Sequence, residues 1–95
     1  MSGELVHEMW EEQDGCTMVC LAGPQGDRAR ASLAAGARLA LVFHASSHFD
    51  AMTKYHAHVQ RPAYTTNQPW DLEPYPCEWV AEQHAALAAM AGNRE

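Results

Sequence analysis

Between Gln60 and Pro76 the chain carries four of its five prolines and three aromatic residues, Tyr64, Trp70 and Tyr75, and no other segment restricts the fold so strongly. Each proline removes a backbone donor and clashes with the preceding helical turn, so this stretch runs as a strap rather than a long helix. Within it only Ala63 to Thr66 leaves room for an edge strand.

Ahead of the strap, strand and helix signals alternate. Glu4 to Glu11 alternates imperfectly and stops at Asp14-Gly15, a strong hairpin dipeptide, after which Thr17 to Ala22 supplies the antiparallel partner. That second strand is apolar on both faces, the pattern of a strand covered on both sides or lying near a subunit contact. Gly23 to Asp27 breaks the chain, and Asp27 is placed to cap a short helix over Arg28 to Ala35 that Gly36 ends from the left-handed region. Arg38 to Phe43 is a third, hydrophobic strand, expected at the centre of the sheet and delivering His44 to its edge.

Ser47-His-Phe-Asp50 matches the capping pattern of a helix over about 48 to 59, with Asp50 and Lys54 in the favourable order for a surface ion pair. Beyond the strap, Pro76 suits the first turn of a final helix, Cys77 to Ala91, stopped by Gly92-Asn93 and striped by Val80, Leu87 and Met90. The order ββαβα(β)α specifies an α+β domain, a small antiparallel sheet of three or four strands packed with two or three helices.

At 95 residues and 10.5 kDa, residues 1–95 make a single small domain. Its 47% hydrophobic content is inflated by alanine, so a homo-oligomer, a dimer in the simplest case, is the expected remedy for a small core. A net charge of −6 repels phosphate backbones and argues against nucleic acid. No apolar run approaches the roughly 20 residues of a membrane span. The acidic start Met-Ser-Gly-Glu lacks the basic region of a signal peptide, so no membrane partner and a cytoplasmic location are expected. Three cysteines, Cys16, Cys20 and Cys77, leave one unpaired under any pairing and read as reduced thiols.

Reactive side chains are densest in the tract from His44 to His58, which holds four of the six histidines. Helical geometry disperses them: His48 lies roughly 12 Å along the axis from His56 and about 15 Å from His58. His56 shares a face with Phe49, Met52 and Val59 and is expected as a hydrogen-bonded core histidine, while His58 points to the surface or a subunit contact. His44 and His48 are the remaining pair, joined by the short Ala45-Ser46-Ser47 turn. At a helix N-terminus the dipole disfavours imidazolium, and the free amides with Ser47 can hold a small acidic ligand. Tyr55 is a proton donor within reach of this turn, with Asp50 and Cys77 as further acid–base candidates.

Zinc is a poor fit, because Cys16 and Cys20 on one strand are separated by roughly 13 Å at about 3.3 Å per residue. No nucleophile elbow, phosphate loop or His-Glu-x-x-His helix occurs, so no metal and no cofactor is expected. Tyr64 and Trp70, with Tyr75, line either a small-molecule pocket or an interface.

The tract Ser47-His-Phe-Asp-Ala-Met-Thr-Lys-Tyr55, followed by Tyr64 to Pro76 and Glu78-Trp79, resembles a group of short uncharacterised bacterial proteins. The resemblance spans roughly residues 28 to 82 and implies a compact domain that exists alone, with no activity attached. Where His56 and Ala57 stand, that group often has an aromatic and an acid. These features lead to a non-enzymatic binding or protein-interaction module with His44, Ser47, His48, Tyr55, Tyr64 and Trp70 as candidate ligand-binding residues. A metal-assisted or acid/base enzyme at the His44/His48 turn is the alternative.

Overall fold

Side-chain alternation decides which residues meet. In the computed structural model of the chain, which describes residues 3–92, strand β1 (Leu5–Glu11) buries Leu5, His7 and Met9 on one face. Val6, Glu8 and Trp10 are half-buried on the other. Burying each large apolar side chain of the inner row stabilises the fold by about 2 kcal/mol. The turn after β1 closes through Gly15, whose φ of 91° suits glycine, and β2 (Thr17–Leu21) returns antiparallel with His7 opposite Leu21 and Glu11 opposite Thr17.

β3 (Arg38–Ala45) pairs with the other side of β1, so the strand order is β2-β1-β3. The centre is therefore β1 and not the hydrophobic 38–43 strand. Its imperfect alternation hides an inner row containing a histidine, whereas the apolar run of β3 sits at an edge with Leu39 and Val42 exposed. A register irregularity between Met9 and Trp10 puts Leu39, rather than Ala40, opposite Trp10.

Helix α1 (Asp27–Ala31) is shorter than the expected 28–35 segment. Asp27 does not cap it, because its carboxylate pairs with Arg30 at 2.7 Å, and the Ser32 hydroxyl bonds the Ala29 carbonyl where the helix stops. Helix α2 (His48–His58) begins as the capping pattern requires, with Ser47 Oγ accepting from the Asp50 N–H at 3.0 Å. The reciprocal arm differs: the Asp50 carboxylate accepts from the Ser46 N–H at 2.9 Å, one residue before the cap, and pairs with Lys54 at 3.2 Å.

From 61 to 68 the strap has no regular structure, so the edge strand at Ala63 to Thr66 does not form. Tyr64 is committed instead to α2, packing against Phe49 and the rings of His48 and His56. A 3₁₀ turn over Pro69–Leu72 follows, and Ser47 bridges to Pro74 while the Tyr75 N–H bonds the Ser46 carbonyl.

Helix α3 (Cys77–Gly92) starts after Pro76; Asn93 of the expected stop lies outside the described residues. Of its stripe, Val80 is buried, Leu87 half-buried and Met90 exposed. Gln83, 0% exposed, fixes the helix to the sheet: its Oε1 accepts from Val6 N–H at 2.7 Å, and its Nε2 donates to the carbonyls of Val6 and Ala22. The side-chain amide thus continues the ladder where β2 ends. The result is a small α+β fold, with a three-stranded antiparallel sheet and three α-helices among the described residues.

Candidate functional site

The inner sheet face, the start of α2 and the strap enclose a cleft of about 440 Å³. Val19 and Leu21 of β2 form one wall, Ala51 and Met52 of α2 another, and Trp70, Pro74 and Trp79 the rim. Into these apolar walls project two imidazoles, His7 and His48, and the phenol of Tyr75. Val19 and Leu21 also turn their main-chain groups to the free edge of β2, since Met18, Cys20 and Ala22 are the residues bonded toward β1.

His48 reaches the cleft because it is the first residue of α2, and the strap sets its orientation. Nδ1 is hydrogen-bonded to the Asp71 carboxylate, and the second oxygen of Asp71 accepts from the Tyr64 hydroxyl at 2.7 Å. Asp71 is 1% exposed. Burial opposes its ionisation, yet the donors Tyr64 and His48 outweigh that, and its carboxyl is held below the usual carboxylate range. The same bond pushes the Tyr64 phenol up. With Nδ1 so engaged, Nε2 of His48 has no protein partner among the described residues. Neutral, it accepts a hydrogen bond; protonated, it donates one.

His7 is arranged the opposite way. Nδ1 donates to the Leu5 carbonyl at 2.9 Å, so Nε2 is an acceptor and receives a hydrogen bond from the Tyr75 hydroxyl at 3.0 Å. Burial lowers the His7 pKa and keeps the ring neutral, while burial and the charges of Asp50 and Asp71 push the Tyr75 phenol up to about 12. Stacking against Phe43 at 5.2 Å completes the packing of the His7 ring. Around neutral pH the cleft therefore presents a Tyr75 oxygen with its proton already committed to His7.

The six candidate residues divide by position. His48 and Trp70 line the cleft, and Tyr64 stands behind His48 as the second donor to Asp71. Ser47 is buried and spends its hydroxyl on the helix cap, and Tyr55 is buried and bonded to the Thr17 hydroxyl. His44 is not brought to the others. β3 continues to Ala45, so alternation turns Phe43 and Ala45 inward and His44 outward beside Val42, opposite Val6.

His56 is half-buried rather than a core residue; its Nδ1 donates to the Pro62 carbonyl at 3.0 Å and its ring stands edge-on to Tyr64. His58 is exposed, as expected, and Cys77 is exposed at the start of α3. Among the described residues, the side chains close enough to share a metal ion are Glu12, Asp14 and Cys16, all on the β1–β2 turn and away from the histidines.

His7 and Asp71 escaped the sequence reading, whereas Tyr75 lines the cleft as one of the two alternatives for the aromatic loop had it. Asp71 carried a signal, an acid set between Trp70 and Leu72 in a proline-braced segment, since a carboxylate among apolar neighbours needs donors. His7 carried a weaker one, as the polar member of the Leu5, His7, Met9 row.

No protein-family model, no curated protein and no solved structure matches the chain.

Proposed function

We propose that the protein is a non-enzymatic binding module whose cleft takes a small ligand with an apolar, planar body and one acidic or hydroxylic head group. The observation that carries this reading is the Asp71–His48 pair: a buried carboxylate holds one ring nitrogen of a half-exposed histidine that lines a mostly apolar cleft. About 440 Å³ falls in the range of small-molecule sites, roughly 300–1,000 Å³. In this arrangement Trp70 and Trp79 sandwich the ligand body and His48 Nε2 bonds its head. The three free thiols, two of them exposed, favour a reducing cytoplasm as its place of work.

The test is thermal stability of the full chain with phenylacetate and indole-3-acetate as probes. At a hundredfold excess over Kd a ligand stabilises by about 2.7 kcal/mol, so a rise in Tm is expected that His48→Ala and Trp70→Ala abolish. No response to either probe, or a response that survives His48→Ala, overturns the reading.

The same dyad favours one second reading, an acid–base enzyme in which Asp71 orients His48 as a general base. Its site is no longer the His44/His48 pair, because His44 lies on the outer sheet face. Turnover of a bound probe, lost in Asp71→Asn with binding retained, separates this reading from simple binding.

A further inference from the structure

The second face of the sheet is apolar as well. Val6 and Trp10 of β1, Met18 and Cys20 of β2, and Leu39 and Val42 of β3 share it, and Glu8 is its one carboxylate. Antiparallel sheets that meet water on one face carry polar residues there. Among the described residues the five-residue α1 reaches over it, through Arg30, whose guanidinium spans Glu8 at 3.0 Å and the Leu21 carbonyl at 2.8 Å. Toward β3 the face is open, with Leu39 and Val42 about half exposed.

The rest of the molecule is undersupplied with core to match. Among the described residues eight apolar ones are buried, and three of them are alanine. The Cα extents are 43 × 39 × 19 Å, a plate, and the radius of gyration is 14.1 Å where about 12.4 Å is usual for this length. The accessible surface is 6366 Å², against about 5,400 Å² expected of a folded monomer of this mass. The excess, roughly 900 Å², matches the roughly 800 Å² that each partner buries in an interface of standard size.

We propose that the outer sheet face is a homodimer interface on which a second copy of this chain stacks about a two-fold axis. A two-fold axis sets the same patch against itself, and this patch suits that because it is apolar and its single carboxylate is already paired with Arg30 of its own chain. Trp10, between Met18 of β2 and Leu39 of β3, supplies the aromatic anchor, with His44 at the other end of the face as rim. Sheets stacked in this way keep their strands within about 30° and set the two sheets face to face, with α2 on the far side of each and the short α1 at the margin of the contact.

Sedimentation equilibrium of the full chain is the test. At about 100 µM, above the micromolar Kd of a modest standard interface, the native protein is expected at twice 10.5 kDa. Val42→Glu and Leu39→Lys, both at half-exposed positions, are expected to sediment as monomers with unchanged far-ultraviolet circular dichroism. A monomeric native protein overturns the proposal, whether the face is left to water or to a different partner. A dimer that survives both substitutions overturns it too, by placing the contact at a strand edge or on α3. Should one variant unfold, the other and the concentration dependence of the native Tm decide: a Tm independent of concentration rejects the dimer.

Discussion

On the inner face of the sheet, Met9 and His7 are each 3% exposed and every polar atom of the His7 ring is bonded; on the outer face, Leu39 and Val42 are 45% and 52% exposed. The polar residue is thus buried and the apolar ones are in the open, the reverse of what a solvated two-layer sheet presents. Burial of His7 is sustained by two specific partners, and it places a neutral imidazole and a phenol beside a cleft. Exposure of Leu39 and Val42 has no such internal account, and its explanation lies outside the single chain. The contrast separates the face that carries the cleft from the face proposed to meet a second copy.

The largest expected effect is on the inner face. Met9→Ala should remove about 3 kcal/mol of stability in urea unfolding, from lost transfer energy and the cavity left behind. A loss below about 1 kcal/mol would show that the inner row is not the core. Tyr75→Phe deletes the donor to His7 and is expected to lower stability by about 1–2 kcal/mol, because the acceptor nitrogen stays buried and unpaired. If the variant is as stable as the native chain, the bond is not formed in solution.

Acid should act in two stages. His7 is held below its ordinary value of 6.5 by burial, so it is neutral in the folded state while the unfolded chain takes up a proton near that pH. The stability this represents is intact above pH 6.5 and is lost as pH falls from there toward the folded value. His7→Phe should flatten the decline of Tm in that window, and parallel slopes for variant and native protein would refute it. For Asp50 and Asp71, both held below 3.8, stability is present above that pH and lost as pH falls through their folded values. The smallest effect belongs to the outer face: in dilute, dissociated protein Val42→Thr should stay within about 0.5 kcal/mol of the native chain. A larger loss there would erase the distinction between the faces.

The sheet, three helices and their order were readable because turn glycines, the Ser47 cap and Pro76 are local signals, and local chemistry fixes them. Strand order was not. Hydrophobicity pointed to the 38–43 strand as the centre, but the position of β1 follows from partners on both sides and from Gln83, contacts that no window of sequence contains. His48, Trp70 and Tyr64 were readable as candidates by type and place, and they lie in or beside the cleft. His44 was misplaced by the question of whether β3 ends at Phe43 or Ala45, since alternation flips with every residue. Asp71 stayed hidden because the residues it meets, His48 and Tyr64, are brought to it by a strap with no regular pattern to extrapolate.

Gln83 binds Val6 across a sequence separation of 77 residues. During synthesis the central strand leaves the ribosome well before Gln83 is made, yet the last rungs beside it are supplied by that side chain. Until then the nascent chain carries an unfinished sheet with an apolar outer face, the kind of surface that chaperones hold. Native structure is therefore expected to lock in late and nearly at once, and a ribosome-stalled chain truncated before Gln83 should remain protease-sensitive although all three strands have been made.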